Sequence, residues 1–285
     1  VIKLLPIVVT CMCGATLSLA APASGKPVAI RVASYNVEFG RSTTPEQVGE
    51  MFKKYKLDII GFDEVPDGDW TARVGKVLGM EYSFVGKISS ANHKDKYKSI
   101  LSRAPLVGTK EHELRVNRGW NPASAVSAVT EIDGVSIAFY SLHISGFKEY
   151  KRGKKLNIKD SHVYKLATEI LPKETTDRVI VVGDFNNHIG DDAMNTIEAA
   201  AMRPIWRDFD VDLSKQYTWN AFKPKGKWGV IDHILYNNSS GAKAVDGGII
   251  ELKKPLSDHK PIWAEIAFPR RLKKVKGAEK TGKSE

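Results

Sequence analysis

Cysteine is all but missing from this 285-residue chain: Cys11 and Cys13 are the only two, and both lie in an uncharged stretch near the N-terminus. A chain that loses that stretch has no disulfide and no thiolate metal site to draw on. Long apolar runs are missing too, with the same exception. Residues 4–20 (LLPIVVTCMCGATLSLA) follow Lys3 without a charge, are broken by Pro6 and Gly14, and are barely long enough to cross a bilayer. Ser18-Leu19-Ala20 and Ala21-Pro22-Ala23 carry the small residues that a signal peptidase selects. Residues 1–23 are therefore expected to be a signal peptide, a retained anchor being the alternative. Thr10, directly before Cys11, does not suit lipidation. The mature protein is expected to be periplasmic or secreted, with no stable membrane insertion after cleavage.

Internal repeats and interior linkers are absent as well, and 27% charged with 42% hydrophobic residues excludes disordered, collagenous and polytopic membrane chains. What the chain has in excess is positive charge, a formal +10, and it is unevenly placed. Residues 269–285 hold seven basic and two acidic residues, and this tail is expected to be disordered. Lys87–Arg103 and Lys148–Lys155 each net +4, which leaves −4 for the rest of the chain beyond residue 23. Tyr97 and Tyr150 are interleaved with these cations, as base-stacking residues would be. Nucleic acid is the expected partner, since each Lys or Arg near a phosphate releases counterions. A solvated basic surface is the plainer reading.

Between 28 and 268 the pattern alternates strands and helices, as one domain. VAIRVASYNVEF (28–39) alternates apolar and polar residues. Thr44-Pro45-Glu46-Gln47 opens a helix with a capping box, and Val48, Met51, Phe52 and Tyr55 follow at helical spacing. LDIIGFDEV (57–65) is a strand buried on both faces, and a short helix over 68–79 ends at Gly79. Asp133-Gly134 joins two strands as a hairpin. A helix capped near Asp160 or Ser161 stops at Pro172, and strands follow at 179–185, 229–236 and 260–268.

Polar clusters close these strands: Asn36 with Glu38, Asp63 with Glu64, His143, Asp184 with Asn186, Asp232 with His233, and Asp258 with His259. One such cluster is an ordinary turn. A series of carboxylate, amide and imidazole can hold an oxygen-ligated cation and polarise a phosphate. His233 alternates away from Asp232 and stays outside the set. His93, His112, His162 and His188 have no ligand spacing.

The order SYNVEF, DIIGFDEV, YSLHI, VVGDFNNH, GVIDHILY, LSDHKPIW, from about Ile30 to Phe268, resembles the endonuclease/exonuclease/phosphatase superfamily, deoxyribonuclease I-like. The resemblance implies an α/β fold, a four-layer sandwich of two mixed β-sheets flanked by helices. It implies Glu64, Asn36 and Asp258 at a metal, Mg²⁺ with Mn²⁺ or Ca²⁺ as alternatives. It gives Asp184 the attacking water, Asn186 a nonbridging oxygen, and His259, partnered by Asp232, a phosphate contact. His143 becomes a candidate acid for the leaving oxygen, its carboxylate left open among Glu81, Asp95 and Glu111. Arg103 is a candidate phosphate contact or else a surface cation. Asp63 stands where many relatives have Gln. The function so implied is a monomeric, secreted, Mg²⁺-dependent phosphodiesterase, a nuclease acting on DNA or RNA by in-line attack of water. The alternative is a phosphomonoesterase or sphingomyelinase-like lipid phosphodiesterase, for which Trp206, Phe209, Trp219, Phe222 and Trp228 are the relevant aromatics.

Overall fold

In the computed structural model, residues 25–270 are described apart from Asp67, Arg118, 152–153 and 224–228, and apart from the side chains of Tyr150 and Lys151. The expected signal peptide and nearly all of the basic tail lie outside the described residues, as does Trp228. Among the described residues no helix is long and apolar enough to cross a membrane.

The strands are β1 (Val28–Asn36), β2 (Ile59–Val65), β3 (Tyr82–Val85), β4 (Tyr97–Ser102), β5 (Val107–Glu113), β6 (Ser124–Ile132) and β7 (Val135–His143) in the first half. In the second half come β8 (Tyr150–Lys151), β9 (Lys154–Lys155), β10 (Val179–Asp184), β11 (Met202–Pro204), β12 (Asp232–Asn237), β13 (Lys243–Ile249) and β14 (Ile262–Phe268). Two six-stranded mixed sheets result, in the orders β13-β14-β1-β2-β4-β3 and β11-β12-β10-β7-β6-β5. Within each, a parallel pair sits at the centre, β1 with β2 and β7 with β10.

Strand alternation decides the layers. Ile30 and Val32 of β1 meet Val126, Phe139, Ile180 and Val182 in the core between the sheets. Ala33 and Tyr35, one residue out of phase, face α1 (Pro45–Phe52) and α2 (Trp70–Leu78) through Val48, Phe52, Trp70 and Val74. On the far side, Tyr140, Leu142 and Val181 pack on α3 (His162–Lys165) and α4 (Asp192–Ala199) through Val163, Met194 and Ile197. This is the expected four-layer sandwich.

Local signals act as expected where they are strong. Thr44 accepts from the Gln47 amide while the Gln47 side chain answers the Thr44 backbone, and Gly79 ends α2 in the left-handed conformation. Ser161 caps α3 through the Tyr164 amide. Beyond α3 the chain widens into a π-helical turn at Leu166–Ile170, where the sequence pattern suggests regular helix. β1 stops at Asn36, short of residue 39, because Glu38 and Phe39 turn into positive φ. The sheets pack tightly at Gly61, where an added Cβ would lie 2.3 Å from Val182 Cγ2.

Candidate active site

Both parallel pairs end on the same side, so the polar strand ends converge. Asn36 pairs with Asp63, and Asp184 with both His143 and Asp232. A simple strand would point Asp63 and Glu64 to opposite faces. Here β2 carries a bulge against β4, with Asp63 opposite Lys98 and Val65 opposite Tyr97, and Glu64 adopts φ 53°. The bulge swings Glu64 into the cleft while Asp63 stays between the sheets. Asn186 also has positive φ, 51°, just after β10, a conformation Asn tolerates better than most residues. Its backbone amide donates to Asp184 Oδ1 at 2.9 Å and its side-chain amide to the Ile144 carbonyl at 2.9 Å.

Asp184 is the hub. Its Oδ2 accepts from the Asn36 amide at 3.3 Å and lies 3.5 Å from His143 Nε2 and 3.7 Å from His259 Nε2. Burial, then the charge of Asp232, push the Asp184 carboxyl upward, against the pull of His259. A carboxyl so raised binds a proton more tightly than a free carboxylate does, which is the property a general base needs once it is ionised. His259 Nδ1 sits 2.9 and 3.2 Å from the two Asp232 oxygens. Burial alone would lower its pKa, but Asp232 and Asp184 outweigh burial and raise it to about 10. The imidazolium is the stable form, with Nε2–H available to an anion.

His143 is the opposite case. Burial, then Lys98, His259 and Lys96, hold it well below the usual histidine range. Its ring packs edge-on against Trp120, with centroids 4.9 Å apart, and Nδ1 makes no hydrogen bond. None of the three expected carboxylates serves it. Glu81 and Asp95 are exposed, and Glu111 accepts from the Lys87 and Ile88 amides and the Ser124 hydroxyl. The nearest oxygen to Nδ1 is Glu64 Oε1, at 3.7 Å. A neutral His143 orients Asp184 and can donate one hydrogen bond; proton delivery as an imidazolium does not suit it.

Arg103 is not brought to the site. It follows β4 at the other end of the sheet, about five residues or roughly 16 Å along the strands. There it binds buried Asp58 at 2.5 Å and exposed Asp133 at 3.0 Å, a structural cation remote from the cleft, closer to the plainer of its two readings.

Asp63 accepts from the Ser141 hydroxyl at 3.3 Å and the Asp184 amide at 3.0 Å, fully buried. Burial, then Asp184 and Asp232, raise its pKa well above the carboxylate range. A neutral carboxylic acid can accept and donate here as an amide side chain does.

A cleft of about 370 Å³ opens on the cluster, lined by Glu64, His143, Asp184, Asn186, Asp258 and His259 together with Arg41, Lys96, Trp120 and Trp219. Trp219 Nε1 donates to Asp258 Oδ2 at 3.3 Å, and Ser257 ties this loop to β1 through the Asn36 carbonyl at 2.8 Å. Lys96, Lys98, Trp120 and Ser257 are the contributors that sequence patterns do not single out. His93, lacking ligand spacing, nonetheless lines the cleft, and His233 is buried away from it, as expected. Trp206 is core, and Phe209 packs against it.

Two groupings could hold a cation. Asp184, Asp232 and His259 present ligand atoms within 4.8 Å of one another. That group is already committed to the Asp232–His259 pair, whose positive ring opposes a cation. Glu64 and Asp258, with Asn36 behind them, offer hard oxygens, and Glu64 already holds the Lys96 ammonium at 2.8 Å. Glu64 and Asp258 thus put two carboxylates on one cleft, the kind of hard-oxygen donor set that suits Mg²⁺.

The comparison with known families settles the lineage. The model of the Endonuclease/Exonuclease/phosphatase family matches residues 33–259. The chain belongs to this family. As a member, it is a phosphoric ester hydrolase of a divalent-metal-dependent family. An endonuclease/exonuclease/phosphatase from Beutenbergia cavernae matches at TM-score 0.67 and 15% identity, over 84% of this chain and 72% of that one. A mannosyl-6-phosphatase from Bacteroides thetaiotaomicron matches at 0.62 and 18%, over 84% and 100%. TDP2 from D. rerio, solved with a single-strand DNA product, matches at 0.64 and 14%, over 84% and 98%. At these identities the likeness is one of fold. No curated protein matches in sequence.

Proposed function

We propose that the protein is a secreted, Mg²⁺-dependent phosphodiesterase that hydrolyses nucleic acid. The observation that carries this reading is the continuation of the catalytic cleft. Asn186 also lines a cavity of about 550 Å³ with Gly146, Phe147, Lys148 and Leu156. Phe147 and Leu156 lead on to a further cavity of about 700 Å³ beside Lys155 and Asn195. A simple phosphomonoester would occupy the first cleft alone, whereas a polymer would use the groove that runs on past Lys148 and Lys155.

In this reading Asp184 takes the proton of the attacking water, and Asn36 and Asn186 fix its carboxylate. His259 donates from Nε2 to a nonbridging oxygen as charge develops, and Asp232 keeps the ring charged and aimed. Glu64 and Asp258 would hold Mg²⁺, which when bound neutralises charge on the phosphate. His143 remains neutral beside Asp184.

The test is a substrate panel on the protein lacking residues 1–23, with and without EDTA. Plasmid DNA or RNA should be cut only with metal, and more weakly as salt rises. Glu64→Ala and His259→Ala should each lose at least about a hundredfold in kcat/KM. Full activity in either variant refutes the site. Hydrolysis of phosphomonoesters or sphingomyelin alone would favour the second reading, a phosphomonoesterase or sphingomyelinase-like enzyme. That reading draws on Trp219 and Phe222, which are 36% and 42% exposed. The mature N-terminus of the exported protein tests the secretion step.

A further inference from the structure

We infer that Lys96 is a phosphate-contacting residue of this active site, its ammonium exchanging between Glu64 and the substrate phosphate. The inference rests on the metal-dependent reading above. Lys96 Nζ lies 2.8 Å from Glu64 Oε2 and 5.5 Å from the Phe39 ring centroid, inside the cleft shared with His143, Asp184, Asn186 and His259. Its backbone is pinned, the amide donating to Ser89 Oγ at 3.1 Å and the carbonyl accepting from Ser90 at 3.0 Å. A lysine stem is flexible, so the ammonium can change partner while the backbone stays fixed.

The other cations nearby are otherwise placed. Arg103 is at the far end of the sheet, and Lys98 is fully buried with Nζ on the Ile88 carbonyl at 2.5 Å. Arg41 lines the cleft, but its side chain is 69% exposed and contacts Glu38 at 3.3 Å. Lys96 is thus the partly sheltered ammonium that faces the place where a phosphate must bind.

Glu64 is also the carboxylate that fits a metal. A metal ion and an ammonium cannot both sit on one carboxylate without mutual repulsion. Metal binding would therefore release Lys96, and the nearest strong anion for it would be the bound phosphate. Lys96 competes with metal when the cleft holds no anion and assists anion binding once metal is in place.

The experiment is calorimetric titration of Mg²⁺, and of inorganic phosphate into the Mg²⁺-loaded protein, for wild type, Lys96→Met, Lys94→Met and Glu64→Ala. Lys94 is an exposed neighbour and controls for net charge. Lys96→Met should bind Mg²⁺ about 3- to 10-fold more tightly and phosphate about tenfold more weakly, with Lys94→Met close to wild type. Unchanged or weaker Mg²⁺ binding in Lys96→Met, with wild type binding normally, overturns this inference alone. An equal effect of Lys94→Met also overturns it. Failure of wild type to bind Mg²⁺, or normal binding by Glu64→Ala, overturns the metal reading and this inference with it.

Discussion

Acid should unfold this protein partly through a histidine that takes no part in the chemistry. His233 has no exposed surface; it faces away from the cleft, accepts from Trp206 Nε1 at 3.1 Å and lies 2.8 Å from the Asn187 carbonyl. Those two partners specify the neutral ring with its proton on Nε2. Burial lowers the pKa to about 4, against smaller opposing effects of the Asn187 carbonyl and Asp232. The unfolded chain binds this proton below about pH 6.5, whereas the folded chain does not until about pH 4, so stability is lost as pH falls through that window. Between pH 7 and pH 5 the loss from this one group comes to about 2 kcal/mol. His162, also lowered to about 4, adds a loss of the same sign, while the raised Asp63 acts in the opposite direction. Comparison with His233→Gln removes those common contributions. The variant should be less stable at pH 7 by about 1–3 kcal/mol for its disturbed hydrogen bonds. The gap should then shrink by about 2 kcal/mol at pH 5 in urea titrations followed by tryptophan fluorescence. A gap of equal size at the two pH values refutes the reasoning.

Arg103→Met should leave kcat and KM unchanged and cost on the order of 1 kcal/mol in urea unfolding, since the Arg103 side chain is 41% exposed and its ion pairs lie remote from the cleft. Asp63→Asn should keep activity within about threefold, because an amide replaces a neutral acid, whereas Asp63→Ala should lose about 1–3 kcal/mol of stability by orphaning the Asp184 amide. Gly146→Ala would place a Cβ 2.2 Å from the Asn186 carbonyl; kcat should fall on the order of a hundredfold in steady-state assays as the Asn186 loop shifts.

The parts of the fold legible in the sequence are those where one residue type decides the backbone. Pro45 after a capping Thr44, Asp133-Gly134 between two apolar runs and Gly79 beyond α2 each leave the chain a single inexpensive conformation. The central strands are legible for a related reason: both faces of β2, β7 and β10 are largely buried, so their runs are mostly apolar up to the polar strand ends. The edge strands are not. β5 reads VGTKEHE and β13 reads KAVDGGI, each half exposed and rich in charge or glycine, and an edge so built resists stray pairing at the cost of its own signal. The helix α4 is short, and what marks it is its docking on Leu142 and Val181 from distant strands.

At the site, the residues that come together are those at the ends of central strands, because a parallel pair places equivalent ends side by side. Position along a strand is also why Arg103 fails: it lies near Glu64's strand in order but at the opposite end in space, and only the antiparallel register of β2 with β4 reveals this. The same register brings in Lys98 opposite Asp63 and sets Lys96 just before β4, beside the bulge. A lysine at either position reads in sequence as part of a solvated basic run. In the fold, one is a fully buried cation with its pKa lowered to about 8, chiefly by burial, and the other is seated on the glutamate expected to hold metal. The basic excess of Lys87–Arg103 is therefore not a uniform docking surface: Arg103 is paired at the far end of the sheet, Lys98 is buried on the Ile88 carbonyl, and Lys96 lines the cleft on Glu64. On the inference drawn for Lys96, electrostatic attraction and catalysis should respond differently to the loss of exposed Lys94 and of cleft-lining Lys96.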